Sequence, residues 1–264
     1  MYFYIIIFMK NKNLIPLYKV VPNIVTIIGI LLGLTSIKHM LYGRWEMASI
    51  LICLAGVFDG IDGRVARILG AESYFGAQLD SLADLCNFGI VPALLMYLWK
   101  LNEIKIFGWM VTMLYVVSIV IRLARFNVSI DSDDKVIAQL NKNFFFGIPS
   151  PIAALLFILP LLISQDDFWF SLNFLIESNS FYILYGFIIS FLVVSKVATF
   201  STKNIKVPHY MVTFIQCFIG VYIIFIFVKP WFLIPISCFL FLLSIPVSHF
   251  IFLSYKNKLE NLSK

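Results

Sequence analysis

Almost the whole of this 264-residue chain divides into apolar stretches of roughly the twenty residues that a helix needs to cross a bilayer. Inside hydrocarbon no water is available to the backbone, so only helices and closed barrels can span it. Barrel strands would show as ten-residue segments of alternating polarity. The stretches here are instead continuously apolar, 61% of all residues are hydrophobic and the mean hydropathy is +0.95. The fold class is therefore all-α: a polytopic transmembrane helix bundle of about eight helices. The expected spans are 20–41, 46–66, 77–99, 105–126, 145–164, 180–200, 210–228 and 231–253. The fifth contains Pro149, Pro151 and Pro160 and is the least regular, so it reads either as a span or as a re-entrant segment.

Lys and Arg orient the bundle. With both termini in the cytoplasm, fifteen basic residues fall inside, leaving Lys38, Arg44, Lys100, Lys105 and Lys229 outside. The expected location is the cytoplasmic (inner) membrane, and the pI of 9.1 restates this bias and suits anionic head groups more than nucleic acid. Cys53, Cys86, Cys217 and Cys238 all lie in apolar spans without Cys-x-x-Cys spacing and read as small buried hydrophobes. The three histidines form no cluster. Met1–Met9 lacks a charged leader and does not read as a cleavable signal, and Met9 serves equally well as a start. One membrane domain is expected, with a cytoplasmic or interfacial arm over 1–19.

Four aspartates interrupt this apolar pattern. Asp59 and Asp62 lie near the end of the second span, and Asp80 and Asp84 near the start of the third. An Asp at the centre of a membrane helix costs roughly 2.5–3.5 kcal/mol on insertion scales. Spacings of three and four put each pair on one helical face, so two helices can converge all four carboxylates on one point at the cytoplasmic boundary. They would repel one another unless a cation sits between them, and a divalent metal ion is the obvious occupant. Gly60, Gly63 and Ala66 strip side-chain bulk from the same part of the second span, which suits either a ligand or tight helix packing. Arg64 and Arg67 add guanidinium groups suited to phosphate. Carboxylates for metal beside guanidinium for phosphate point to phosphoryl transfer.

The pattern Asp-x2-Asp-Gly-x2-Ala-Arg-x8-Gly-x3-Asp-x3-Asp, carried by Asp59, Asp62, Gly63, Ala66, Arg67, Gly76, Asp80 and Asp84, resembles the signature of the CDP-alcohol phosphotransferases. These are membrane enzymes of phospholipid synthesis. The resemblance is firmest over the second and third spans and extends more weakly over 20–206. It implies a six-helix catalytic core there, with 207–264 as an additional transmembrane hairpin and tail. It further implies that Asp59, Asp62 and Asp80 bind two divalent ions, Mg²⁺ or Mn²⁺, against the donor diphosphate. Asp84 would act as the general base, while Gly63, Ala66, Arg67 and Gly76 would accommodate the nucleotide. Asn23 and Thr26 would either contact nucleotide or cap the first helix. The resemblance also implies a homodimer.

Flanking segments are similar to the serine-using, membrane-embedded bacterial branch of the family. They are Val21-Pro22-Asn23 at the first span, Asp80-Ser81-Leu82-Ala83-Asp84 running into Phe88-Gly89, Arg122 to Val128, Phe146 to Pro151, and Ser195-Lys196. Asn87 stands where a serine or similarly small residue is usual. This branch implies CDP-diacylglycerol and L-serine as substrates, with phosphatidylserine and CMP as products. Arg122, Arg125 and Lys196 are candidates for the serine carboxylate or a lipid phosphate, against the plainer reading that they mark topology. Relatives acting on glycerol phosphate, inositol phosphate or an amino alcohol share the core motif. A cation-coupled transporter would instead spread its carboxylates along a path.

Overall fold

A computed structural model describes residues 16–130, 144–172, 178–195, 197–200 and 208–262. After a short 3-10 turn at Leu17–Val20, α1 (Val21–Leu41) starts with Pro22 in its first turn, where a missing N–H leaves no bond unmade. Its buried positions are Pro22, Thr26, Gly29, Gly33, Ser36 and Met40, a 4-3-4-3-4 seam of mostly small residues. Such a seam lets a second helix come close. That helix is α2 (Trp45–Ile68), which returns through a turn at Gly43, whose φ of +66° favours glycine. Ser36 Oγ donates to the Ala48 carbonyl at 2.8 Å and ties the two together.

The inward stripe of α2 is Ala48, Ile52, Ala55 and Asp62. Asp59 falls on the same helical periodicity, so the stripe that packs the helix also aims its carboxylates at the bundle interior instead of at lipid.

α3 (Tyr74–Asp84) runs through a π-helical turn at Leu85–Ile90 into α4 (Val91–Trp99). The turn has a chemical cause. Pro92 has no N–H to offer the Phe88 carbonyl one helical turn back. The hydroxyl of fully buried Tyr115 supplies the donor instead, at 2.8 Å. α5 (Lys105–Ile130) follows, and α8 (Asn179–Val194) lies against it where a Cβ on Gly186 would run into Val111.

Between these lie two short helices, α6 (Ser150–Phe157) and α7 (Leu159–Ile163), broken at Ile158 and almost wholly buried. A three-residue strand precedes α6 and another follows α8: β1 (Phe144–Phe146) and β2 (Ala198–Phe200), antiparallel with Phe145 opposite Thr199. The helices α9 (His209–Val228) and α10 (Pro230–Leu262) complete the described chain.

The all-α bundle is thus as expected, with local differences. Among the described residues, five helical stretches are long and apolar enough to span: 17–41, 74–99, 101–128, 210–228 and 230–252. α2 is long enough, about 36 Å, but carries the motif's charges. The expected fifth span is divided near Pro160, and its beginning and the end of the sixth pair as strands. The third helix starts at Tyr74, not 77, because Ser73 caps it by accepting the Gly76 N–H at 3.0 Å.

Candidate active site

Asp59 from α2 and Asp80 and Asp84 from α3 meet at one end of the bundle, with one carboxylate oxygen of each within 4.8 Å of the others. At that spacing and an effective dielectric near 20, each pair of charges repels by about 3–4 kcal/mol. Two oxygens bound to one divalent cation at about 2.0–2.6 Å each lie at most ~4–5 Å apart, so the cluster has the donor type and span such an ion requires. An Asp cluster able to bind metal is therefore present.

Asp62 is placed differently. It is 4% exposed, and Thr26 Oγ1 lies 2.7 Å from its Oδ2. The three-residue spacing puts Asp62 on the side of α2 next to α1, while Asp59 faces α3. The same Thr26 hydroxyl is 3.1 Å from the Pro22 carbonyl, and no side chain caps α1. Thr26 therefore serves Asp62 and does not cap the helix.

Of the expected nucleotide residues, Gly63 is the most telling, together with neighbouring Gly60. A Cβ built on either would meet nothing within 4 Å among the described residues, so packing between helices of this one chain does not account for them. Ala66 is half-buried beside this open face, and Arg67 lies over it, its Nε donating to the Gly63 carbonyl at 3.0 Å. Gly76 is packed instead of open. A Cβ there would lie 3.2 Å from Asn23 Oδ1, so Asn23 of α1 approaches the first turn of α3 closely.

On the opposite side, Ser150 Oγ donates to Asp84 Oδ2 at 2.8 Å, and Arg122 Nη1 donates to Ser150 Oγ, also at 2.8 Å. Asp84 Oδ1 and Arg122 Nε are buried without a hydrogen-bond partner. Arg125 Nη2 donates to the Val194 carbonyl and so fastens α5 to the end of α8. Ser81 and Asn127 bond at 3.2–3.3 Å, holding α3 to α5. Lys196 lies outside the described residues.

Sequence reasoning missed Ser150. It stands in Pro149-Ser150-Pro151, a fragment with an obvious helix-start signal but no sign of a partner 66 residues earlier. Its place depends on β1 and β2: Gly147, at φ +84°, donates its N–H to the Val197 carbonyl at 2.8 Å and accepts from Thr199 Oγ1 at 3.1 Å. That clasp directs the start of α6 at Asp84.

Asn87 packs, 2% exposed, into the α1 seam. A Cβ on Gly33 would collide with its amide oxygen, so Gly33 and Asn87 form a matched pair.

Residues 19–194, two thirds of the chain, match the family described as CDP-alcohol phosphatidyltransferase. The chain belongs to this family. It is similar to a CDP-diacylglycerol–serine O-phosphatidyltransferase of Mycobacterium leprae, 35% identical over 86% of this chain and 74% of that protein. The Mycobacterium bovis protein of the same description is 41% identical over 60% of this chain and 55% of its own length. One from Helicobacter pylori is 33% identical over 81% of this chain and 84% of that protein. The matched region includes every element that builds the acidic cluster, from α1 to the end of α8. Divalent-metal dependence is general in this family, and the apolar helices make the chain a multi-pass membrane protein.

Proposed function

We infer that this protein is a phosphatidylserine synthase, transferring the phosphatidyl group of CDP-diacylglycerol to the hydroxyl of L-serine and releasing CMP. The observation that carries the reading is the convergence of Asp59, Asp80 and Asp84 within 4.8 Å, in a motif whose glycine side is open. Relatives described as using serine, at 33–41% identity, choose the acceptor.

Asp59, Asp62 and Asp80 are the proposed ligands of two divalent ions, Mg²⁺ or Mn²⁺. Bound there, the ions would neutralise diphosphate oxygens and make CMP a better leaving group. Gly63 and Ala66 leave room for the nucleotide, with Gly76, Asn23 and Arg67 at its edge. Thr26 acts one step back by holding Asp62. Arg122 and Arg125 are candidate partners of the serine carboxylate, and Lys196 is retained as a third. In the transfer, a bond forms between the serine hydroxyl oxygen and the phosphatidyl phosphorus, and the bond from that phosphorus to the CMP oxygen breaks. The hydroxyl proton passes to Asp84. A carboxylate is a weak base for an alcohol, so it takes the proton late, as the oxygen–phosphorus bond forms.

The reading places the site at the cytoplasmic face of the cell membrane, on the positive-inside bias. Residues 20–206 form its catalytic core, 207–264 an accessory hairpin, and two copies form a homodimer. An acceptor panel tests it. With CDP-diacylglycerol and Mn²⁺, L-serine should support CMP release far above glycerol 3-phosphate, inositol phosphate or ethanolamine. CMP release with one of those, and none with serine, would overturn the acceptor assignment.

A further inference from the structure

Half-buried Arg122 and Asp84 and the buried Ser150 between them form one hydrogen-bonded line. Its direction is set by chemistry. A guanidinium can only donate, an ionised carboxylate can only accept, and a hydroxyl has one proton to give. Ser150, 2% exposed, must therefore accept from Arg122 and donate to Asp84.

Arg122 and Asp84 do not touch. Among the described residues the one ion pair within 4.0 Å is Lys100–Glu103, at the opposite end of α4. That is unexpected for an arginine and an aspartate sharing a buried neighbour, because a guanidinium fork matches both oxygens of a carboxylate. A direct fork would occupy both Asp84 oxygens. With Ser150 between them only Oδ2 is engaged, and Oδ1 stays buried and unpartnered.

We propose that Ser150 is a positioning residue that keeps Arg122 from closing onto Asp84 and so holds Asp84 Oδ1 free for the reacting hydroxyl. The inference rests on the synthase reading for the role of Asp84, but not on serine as the acceptor. The clasp between β1 and β2 is part of the device, because Gly147 and Thr199 set where α6 begins. Arg122 keeps Nε unpartnered as well, so the same spacing leaves a donor and an acceptor edge apart on either side of one hydroxyl.

The test compares wild type, Ser150→Ala and Ser150→Thr in lipid nanodiscs. CMP release gives kcat and KM for donor and acceptor, Mn²⁺ titration followed by electron paramagnetic resonance gives metal affinity, and a thermal melt monitors folding. If wild type releases CMP only with an alcohol other than serine, the acceptor assignment fails and the series is run with that alcohol. Ser150→Ala should lower kcat roughly tenfold to a hundredfold, the range for removing a supporting hydrogen bond. Its donor KM, Mn²⁺ affinity and melting temperature should stay within about twofold, or a few degrees, of wild type. Ser150→Thr, which keeps the hydroxyl, should recover most of the lost turnover. A Ser150→Ala enzyme within twofold of wild-type kcat would overturn the proposal. So would a loss matched by weaker Mn²⁺ binding, or a Ser150→Thr protein that is stable yet as slow as the alanine variant.

Discussion

The two walls of the acidic cluster are built on the same device and differ in what stands behind it. On the α1 side, Thr26 holds Asp62 through a buried hydroxyl at 2.7 Å. On the α5–α6 side, Ser150 holds Asp84 through a hydroxyl at 2.8 Å. Behind Thr26 is a backbone carbonyl, and open Gly63 adjoins Asp62 in α2; behind Ser150 is Arg122. A wall with space, and with a guanidinium (Arg67) only at its exposed rim, suits a metal-bound nucleotide, which brings its own bulk and charge. A wall with a guanidinium suits a small acceptor carrying a carboxylate. The difference divides the site into a donor half and an acceptor half.

That division can be broken from the centre outward. Asp80 belongs to the carboxylate cluster that both halves adjoin. Asp80→Asn should lower CMP release by ~10²–10³-fold or more, the scale for losing one transition-state charge stabiliser. Mn²⁺ affinity measured by electron paramagnetic resonance should fall with it.

A donor-half change should be milder and one-sided. Gly63→Ala replaces a helical glycine where nothing lies within 4 Å, so helix propensity alone should stabilise the protein by up to ~1 kcal/mol. Yet the methyl enters the space assigned to the nucleotide. Donor KM should rise roughly tenfold with the serine KM unchanged, in steady-state kinetics with each substrate varied. A rise in serine KM instead would reverse the assignment of the halves.

The smallest effect concerns the seam beneath the donor wall. Gly33→Ala meets the buried Asn87 amide and should destabilise by about 1–3 kcal/mol of overpacking, partly offset by helix propensity. Adding Asn87→Ser should restore the melting temperature.

Legibility in the sequence followed distance along the chain. Asp59, Asp62, Asp80 and Asp84 sit on adjacent helices at helical spacing, and local periodicity aims them together. The Asn87 departure was visible as a residue, but its fit to Gly33 was not, because that contact crosses from α4's entry to α1. The π-helical turn could have been suspected from Pro92, though its rescue by Tyr115 could not. β1 and β2 were read as ends of apolar spans, since a three-residue strand of Phe, Ala and Thr has no periodicity that separates it from a helix. Ser150 depended on that strand pair and was lost with it.

The most direct test of the central claim is the balance of products from purified protein in nanodiscs given CDP-diacylglycerol, Mn²⁺ and labelled L-serine, beside Asp84→Asn. The account predicts labelled phosphatidylserine and CMP in equal amounts, with turnover lost in a variant that still folds. Undiminished turnover in Asp84→Asn, or CMP formed without labelled lipid, would contradict it.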